Sequence, residues 1–111
     1  MTIKTIQTRW STAATVAASA DWLSADVSVA GAFPVKHNFQ MMVPTSTIVK
    51  AIITRGGVAK NLEFNAGVAL TADAGYNFSV IMWPGTTYNI THDTGTQNVA
   101  LMINESDNID Q

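Results

Sequence analysis

Histidine is the side chain whose ordinary proton affinity lies near neutral pH, and this 111-residue sequence contains two, His37 and His92. A hydrolase triad would join one of them to a carboxylate, with Asp93 and Asp21 as candidates, and to a serine on a sharp glycine-flanked turn. No G-x-S-x-G occurs. His92-Asp93 precedes Thr94-Gly95, a setting in which Asp is an ordinary turn former. A metal held by the two histidines would need further ligands that no spacing supplies, and thiolate ligands are excluded because the chain has no cysteine. The oxygen-rich tail Asn104-Glu105-Ser106-Asp107-Asn108-Ile109-Asp110 lacks the central glycine and alternation of a calcium loop and reads as a solvated acidic terminus. Glu63, Asp73 and Glu105 are the remaining carboxylates to consider for glycoside chemistry, but Asp73 sits in a glycine-containing turn and Glu63 on an expected solvent face. The expectation is therefore a protein that is not an enzyme, with no catalytic, cofactor-binding or metal residues.

One local feature has binding chemistry. In Trp83-Pro84-Gly85-Thr86-Thr87-Tyr88 a rigid turn is flanked by two large aromatics, so Trp83 and Tyr88 form a possible glycan platform, since aromatic faces stack on apolar sugar faces. A strand corner packed by its own aromatics is the simpler reading. The N-x-S/T matches at Asn77, Asn89 and Asn104 are expected by chance in a chain rich in Asn, Ser and Thr.

The elements that would position these residues are strands. Candidate strands cover residues 38–43, 47–55, 58–64, 76–83, 87–92 and 97–104, and each intervening break contains Gly or Pro. Alternation places Val58, Leu62 and Phe64 on one face, as it does Tyr76, Phe78, Val80 and Met82, then Tyr88 and Ile90, then Val99, Leu101 and Ile103. Val27 and Val29 mark a further strand, and residues 12–20 suit a strand better than a short helix. The pattern predicts an all-β, antiparallel β-sandwich of jelly-roll or immunoglobulin-like kind. It would occupy residues 12–111 as one domain, preceded by an extended N-terminal arm over residues 1–11.

Composition narrows the partners. Charged residues make up 13% of the chain and the net charge is -2, so a phosphate backbone meets no basic attraction and nucleic-acid binding is not expected. No membrane segment is expected either, because the uncharged stretch 74–92 is broken by Pro84-Gly85 and studded with Asn, Ser and Thr. The polar start, Met1 to Arg9, shows no secretory cleavage pattern. All six Lys and Arg precede residue 61, whereas Glu63, Asp73, Asp93, Glu105, Asp107 and Asp110 follow it. Pairing within the fold and complementarity toward a partner both account for that segregation. So little charge on a soluble domain points to a covered surface. Ile81, Trp83 and Met102 fall on the side of their strands opposite the expected core, where cover by a loop or the N-terminal segment and a subunit interface both account for them, and they are the candidate subunit interface; Ile3, Ile6, Arg9 and Trp10 make the arm a candidate docking element.

The run from Val68 through Thr71-Ala72 to Tyr76-Asn77-Phe78-Ser79-Val80, followed by Pro84-Gly85-Thr86-Thr87-Tyr88-Asn89-Ile90, Gly95-Thr96 and Val99-Ala100-Leu101, resembles the C-terminal half of small virion proteins of tailed bacteriophages. The resemblance covers about a third of the chain. It implies a virion structural protein of the capsid decoration or cement type. Such a β-sandwich subunit would be made in the host cytoplasm and carried on the particle surface, as a homotrimer, with itself and the major capsid protein or another virion protein as partners. A tail or head-fibre protein that binds host surface glycans is the alternative.

Overall fold

The computed structural model describes residues 6–106. It contains eight strands: β1 (Ile6–Val16), β2 (Val27–Ser28), β3 (Val35–Met42), β4 (Val49–Arg55), β5 (Val58–Glu63), β6 (Tyr76–Met82), β7 (Thr86–His92) and β8 (Gln97–Ser106). A short turn, Phe64–Gly67, follows β5, with Asn65 and Ala66 in the left-handed region at φ 57° and 55°. Two four-stranded antiparallel sheets result, ordered β1-β8-β3-β6 and β2-β7-β4-β5. This alternation of early and late strands across two facing sheets is the eight-stranded jelly roll. It is an all-β sandwich, as the period-two patterning implies.

Turn chemistry sets the connections. Arg55 pairs with Val58 across Gly56 and Gly57, whose φ values of 60° and 80° are the two positive dihedrals that a tight hairpin requires. Between β6 and β7, Pro84 is followed by Gly85 at φ 84°, the order that a type II turn demands.

One hydrophobic core joins the sheets. Phe39 on β3 lies at its centre, its ring centroid 5.2 Å from that of Phe64 in the turn after β5 and 5.6 Å from that of Tyr88 on the opposing sheet. Val49, Ala51, Leu70, Met82, Ile90, Val99, Leu101 and Ile103 fill the space around it, and Leu62, Tyr76, Phe78 and Val80 pack partly buried at its margin. Val58, expected on the core face, is instead 58% exposed. The β4–β5 hairpin runs past the end of the facing sheet, so residues 55–61 have no cover on either side.

The N-terminal segment also differs from expectation. Residues 6–11, read from sequence as part of an extended N-terminal arm, belong to β1, which pairs antiparallel with β8 from Ile6↔Ser106 to Val16↔Gln97. The reason is backbone hydrogen bonding: β8 is ten residues long and offers the whole of its outer edge to a strand. A register shift between Thr8 and Trp10 leaves Arg9 as the extra residue of a bulge. Ile3 lies outside the described residues. Residues 17–20, expected as strand, leave the sheet after Val16 in a turn, and the loop that follows buries Trp22 and Leu23.

Because Phe39 is fully buried and packs against the Phe64 and Tyr88 rings across the sandwich, Phe39→Ala should lower unfolding free energy by about 3–5 kcal/mol. Val58→Ser, on the overhanging hairpin, should change it by less than about 0.5 kcal/mol. Urea unfolding of both variants checks the contrast.

Candidate functional site

Both histidines are buried within hydrogen bonds that the fold supplies. His37 on β3 faces the interior, where Nδ1 lies 2.6 Å from the Tyr88 hydroxyl on β7 and Nε2 lies 3.2 Å from Glu105 Oε2 on β8. The carboxylate only accepts, so Nε2–H donates to it, and in the neutral ring Nδ1 then accepts from the Tyr88 O–H. Burial first, and the Glu105 charge second, raise the Tyr88 pKa above its ordinary value of 10.0, which keeps the phenol a donor. These three side chains tie one sheet to the other through the core. Tyr88 is 1% exposed, so no substrate reaches its oxygen.

His92, at the end of β7, is engaged differently. Trp22 Nε1–H donates to His92 Nδ1 over 2.9 Å, and Nε2 is 2.7 Å from the Gly95 carbonyl. An indole nitrogen only donates and a carbonyl only accepts, which assigns the proton to Nε2. The ring therefore pins the β1–β2 loop and the β7–β8 turn to the end of the sandwich. Asn89 fastens the same loop: its Oδ1 accepts from Leu23 N–H at 3.1 Å, and its Nδ2 donates to Leu23 O and Asp26 Oδ1, each at 3.0 Å. Neither histidine meets the carboxylate considered for it, since Asp93 pairs with Lys50 at 3.3 Å and Asp21 is exposed. Among the described residues, no group of three or more His, Asp or Glu gathers as a metal would require.

The aromatic platform is divided by strand alternation. Trp83, just past β6, is 54% exposed, whereas Tyr88 lies in the core with its ring centroid 5.6 Å from Phe39. Tyr88 is thus corrected from platform to interior residue: on β7 the even-numbered positions 86, 88, 90 and 92 face inward.

The surface has a clear longitudinal order. β1, β3, β5 and β7 start at the pole where β8 ends, which we call the terminal pole, and β4, β6 and β8 run toward it. The loop before β3, the Gly56-Gly57 turn and the Trp83-Pro84-Gly85 turn all lie there. Phe33 (78% exposed), Val58, Ile81 and Trp83 are therefore gathered at one pole, accompanied by Lys36 and the exposed Arg55. Asp73, Asp93 and Glu63 mark the opposite pole. Lys50 with Asp93 is an ion pair that joins the two charge segments noted in the sequence.

Of the expected interface residues, Ile81 and Trp83 come together near the terminal pole. Met102 is exposed on the same sheet, but in register with Gln40 on β3, while Ile81 is in register with Lys36. Four residues along a strand separate those levels by about 13 Å. Ile6, Arg9 and Trp10 occupy the half of β1 nearest the terminal pole. Phe33 has no signal in strand periodicity. Its position before Pro34, in a break between strands, was the one available indication that its ring would be left outside.

Replacing Tyr88 by Phe removes the buried hydroxyl that meets His37 Nδ1 and should cost about 1–3 kcal/mol at neutral pH. The raised Tyr88 pKa also sets the alkaline response: the folded state keeps a proton that the unfolded chain loses, so stability present below pH 10.0 is lost as pH rises above it. Tyr76, by contrast, is pulled below 10.0 by its hydrogen bonds with Thr71. An ultraviolet absorbance titration should show Tyr76 ionising in the folded protein and Tyr88 ionising only with unfolding. Y88F should abolish the second step. Compared with models of known protein families and with curated proteins, the chain matches none.

Proposed function

We propose that this chain is a virion structural subunit of the capsid-decoration kind, which docks on a protein shell by its terminal pole and bridges neighbouring shell subunits without catalysis. The observation that carries the reading is the gathering of Phe33, Ile81, Trp83 and Val58 at the pole where β1 begins and β8 ends. Large exposed apolar side chains in one place mark an interaction surface rather than the scattered background of a soluble domain. Lys36 and Arg55 at the same pole favour an acidic shell surface. The enclosure of both histidines by fixed partners removes the side chains best suited to proton transfer, which agrees with a role that needs no turnover.

A decoration subunit acts by adding contacts across a seam. Each contact is weak alone, and an oligomer that engages several sites at once gains avidity from their linkage. The barrier to separating the shell subunits then rises without any chemical step.

Mass spectrometry of virus particles purified from the source that encodes this chain should find it in stoichiometric amounts relative to a shell protein. A Phe33→Ser/Trp83→Ser variant should fold normally yet fall at least tenfold in the amount bound to particles. Absence of the chain from such particles would overturn the reading.

A further inference from the structure

A sandwich of two four-stranded sheets has four edges, and in this chain only two of them are guarded. In the second sheet, β2 is two residues long, and β5 carries Lys60 at an inward-alternating position, opposite Ile53. Short edge strands and inward-pointing lysines are the usual means by which proteins prevent another strand from adding to an edge. The β1-β8-β3-β6 sheet has neither. β6, Tyr-Asn-Phe-Ser-Val-Ile-Met, contains no charge, proline or glycine over seven residues. β1 contains one charge, Arg9, within its bulge, and Trp10–Val16 continues without charge or proline. Among the described residues, no backbone hydrogen bond joins the far side of β1 or β6 to another segment.

The face of this sheet tells the same story. Its outward positions on β8, β3 and β6 are Asn98, Ala100, Met102 and Asn104, then Lys36, Asn38, Gln40 and Met42, then Asn77, Ser79 and Ile81. Lys36 is the single charge among them. Met42, paired with Ala100, and Met102, paired with Gln40, are both exposed.

Strand polarity selects the occupant. β1 runs away from the terminal pole and β6 runs toward it, because four antiparallel strands give opposite directions at the two edges. A second copy with its pole aligned can therefore lay its β1 antiparallel beside β6 and continue the sheet. Pairing β6 with the β6 of a second copy in antiparallel fashion would instead point the two poles in opposite directions. The docking role proposed above needs every terminal pole on one face, and the choice between the two pairings rests on that reading. We propose that copies of this chain associate edge to edge, the β6 strand of one pairing antiparallel with the β1 strand of the next, in a closed ring whose terminal poles share one face. The contact joins two different surfaces, so closure rather than two-fold symmetry limits its growth. Ile81 lies on that edge strand, whereas Trp83 lies past its end, on the pole.

Light scattering after size-exclusion chromatography reads the outcome. Wild-type protein at micromolar concentration should elute as one discrete oligomer. Asn77→Lys/Ile81→Lys guards the β6 edge, and Ala14→Lys guards β1; all three positions are exposed, so both variants should keep wild-type circular dichroism and elute as monomers. Mixed in equal amounts, they should form a heterodimer of twice the monomer mass, because one intact β6 edge meets one intact β1 edge and growth stops. A monomeric wild type would overturn the pairing whether or not the variants fold. So would an Ala14→Lys variant that stays oligomeric while the β6 variant does not, which signals β6 pairing with itself. A monomeric wild type that still cosediments with particles would remove the ring and leave the decoration role standing.

Discussion

Every backbone N–H and C=O must find a partner or water, and a strand can satisfy both of its sides only between two neighbours. Among the described residues, eight strands in two open sheets leave four strands with one side unpaired. The rest of this structure follows from how that shortage is handled. β8 meets β1 along ten residues, which is why the N-terminal segment is drawn into the sheet. β2 and β5 are shortened or charged. β6 and the distal part of β1 are left open, and the outward face between them carries almost no charge.

The interior is held by a second constraint, the need to pair polar groups that strand alternation forces inward. His37, Tyr88 and Glu105 bridge the two sheets near one end, and His92 with Trp22 and Gly95 closes the other. Such side chains would cost several kcal/mol if left unpaired in the core, whereas paired they lock the sheets in one relative position. Both histidines are thereby held in fixed partners within the fold. Rigid sheets in turn fix the positions of the loops at the terminal pole, where Phe33 and Trp83 stand exposed.

Strand alternation made much of this fold legible in the sequence, since period two is a strong signal wherever one face is buried. The inward runs Tyr88-Ile90 and Val99-Leu101-Ile103 are core residues, and Ile81, Trp83 and Met102 are exposed as their opposite parity requires. Less visible was anything decided by the length of a facing sheet. Val58 follows the core pattern but overhangs the sandwich. Tyr88 was legible as core by parity and also as half of a platform by proximity to Trp83; the turn at Pro84-Gly85 separates the two. The His37–Glu105 contact joins residues 68 apart in sequence, and only the placement of β8 beside β3 brings it about. Residues 6–11 lack an alternating apolar pattern strong enough to announce a strand, and β8 supplies the pairing that makes them one.

The account stands on the claim that the open edges of the β1-β8-β3-β6 sheet are covered by another copy of the chain. Amide hydrogen exchange compared between dilute and concentrated protein measures this directly. The account predicts that β6 and β1 amides gain protection on concentration while those of β2 and β5 do not change. Equal exchange in β6 and β1 under both conditions, in protein that remains folded throughout, would contradict it.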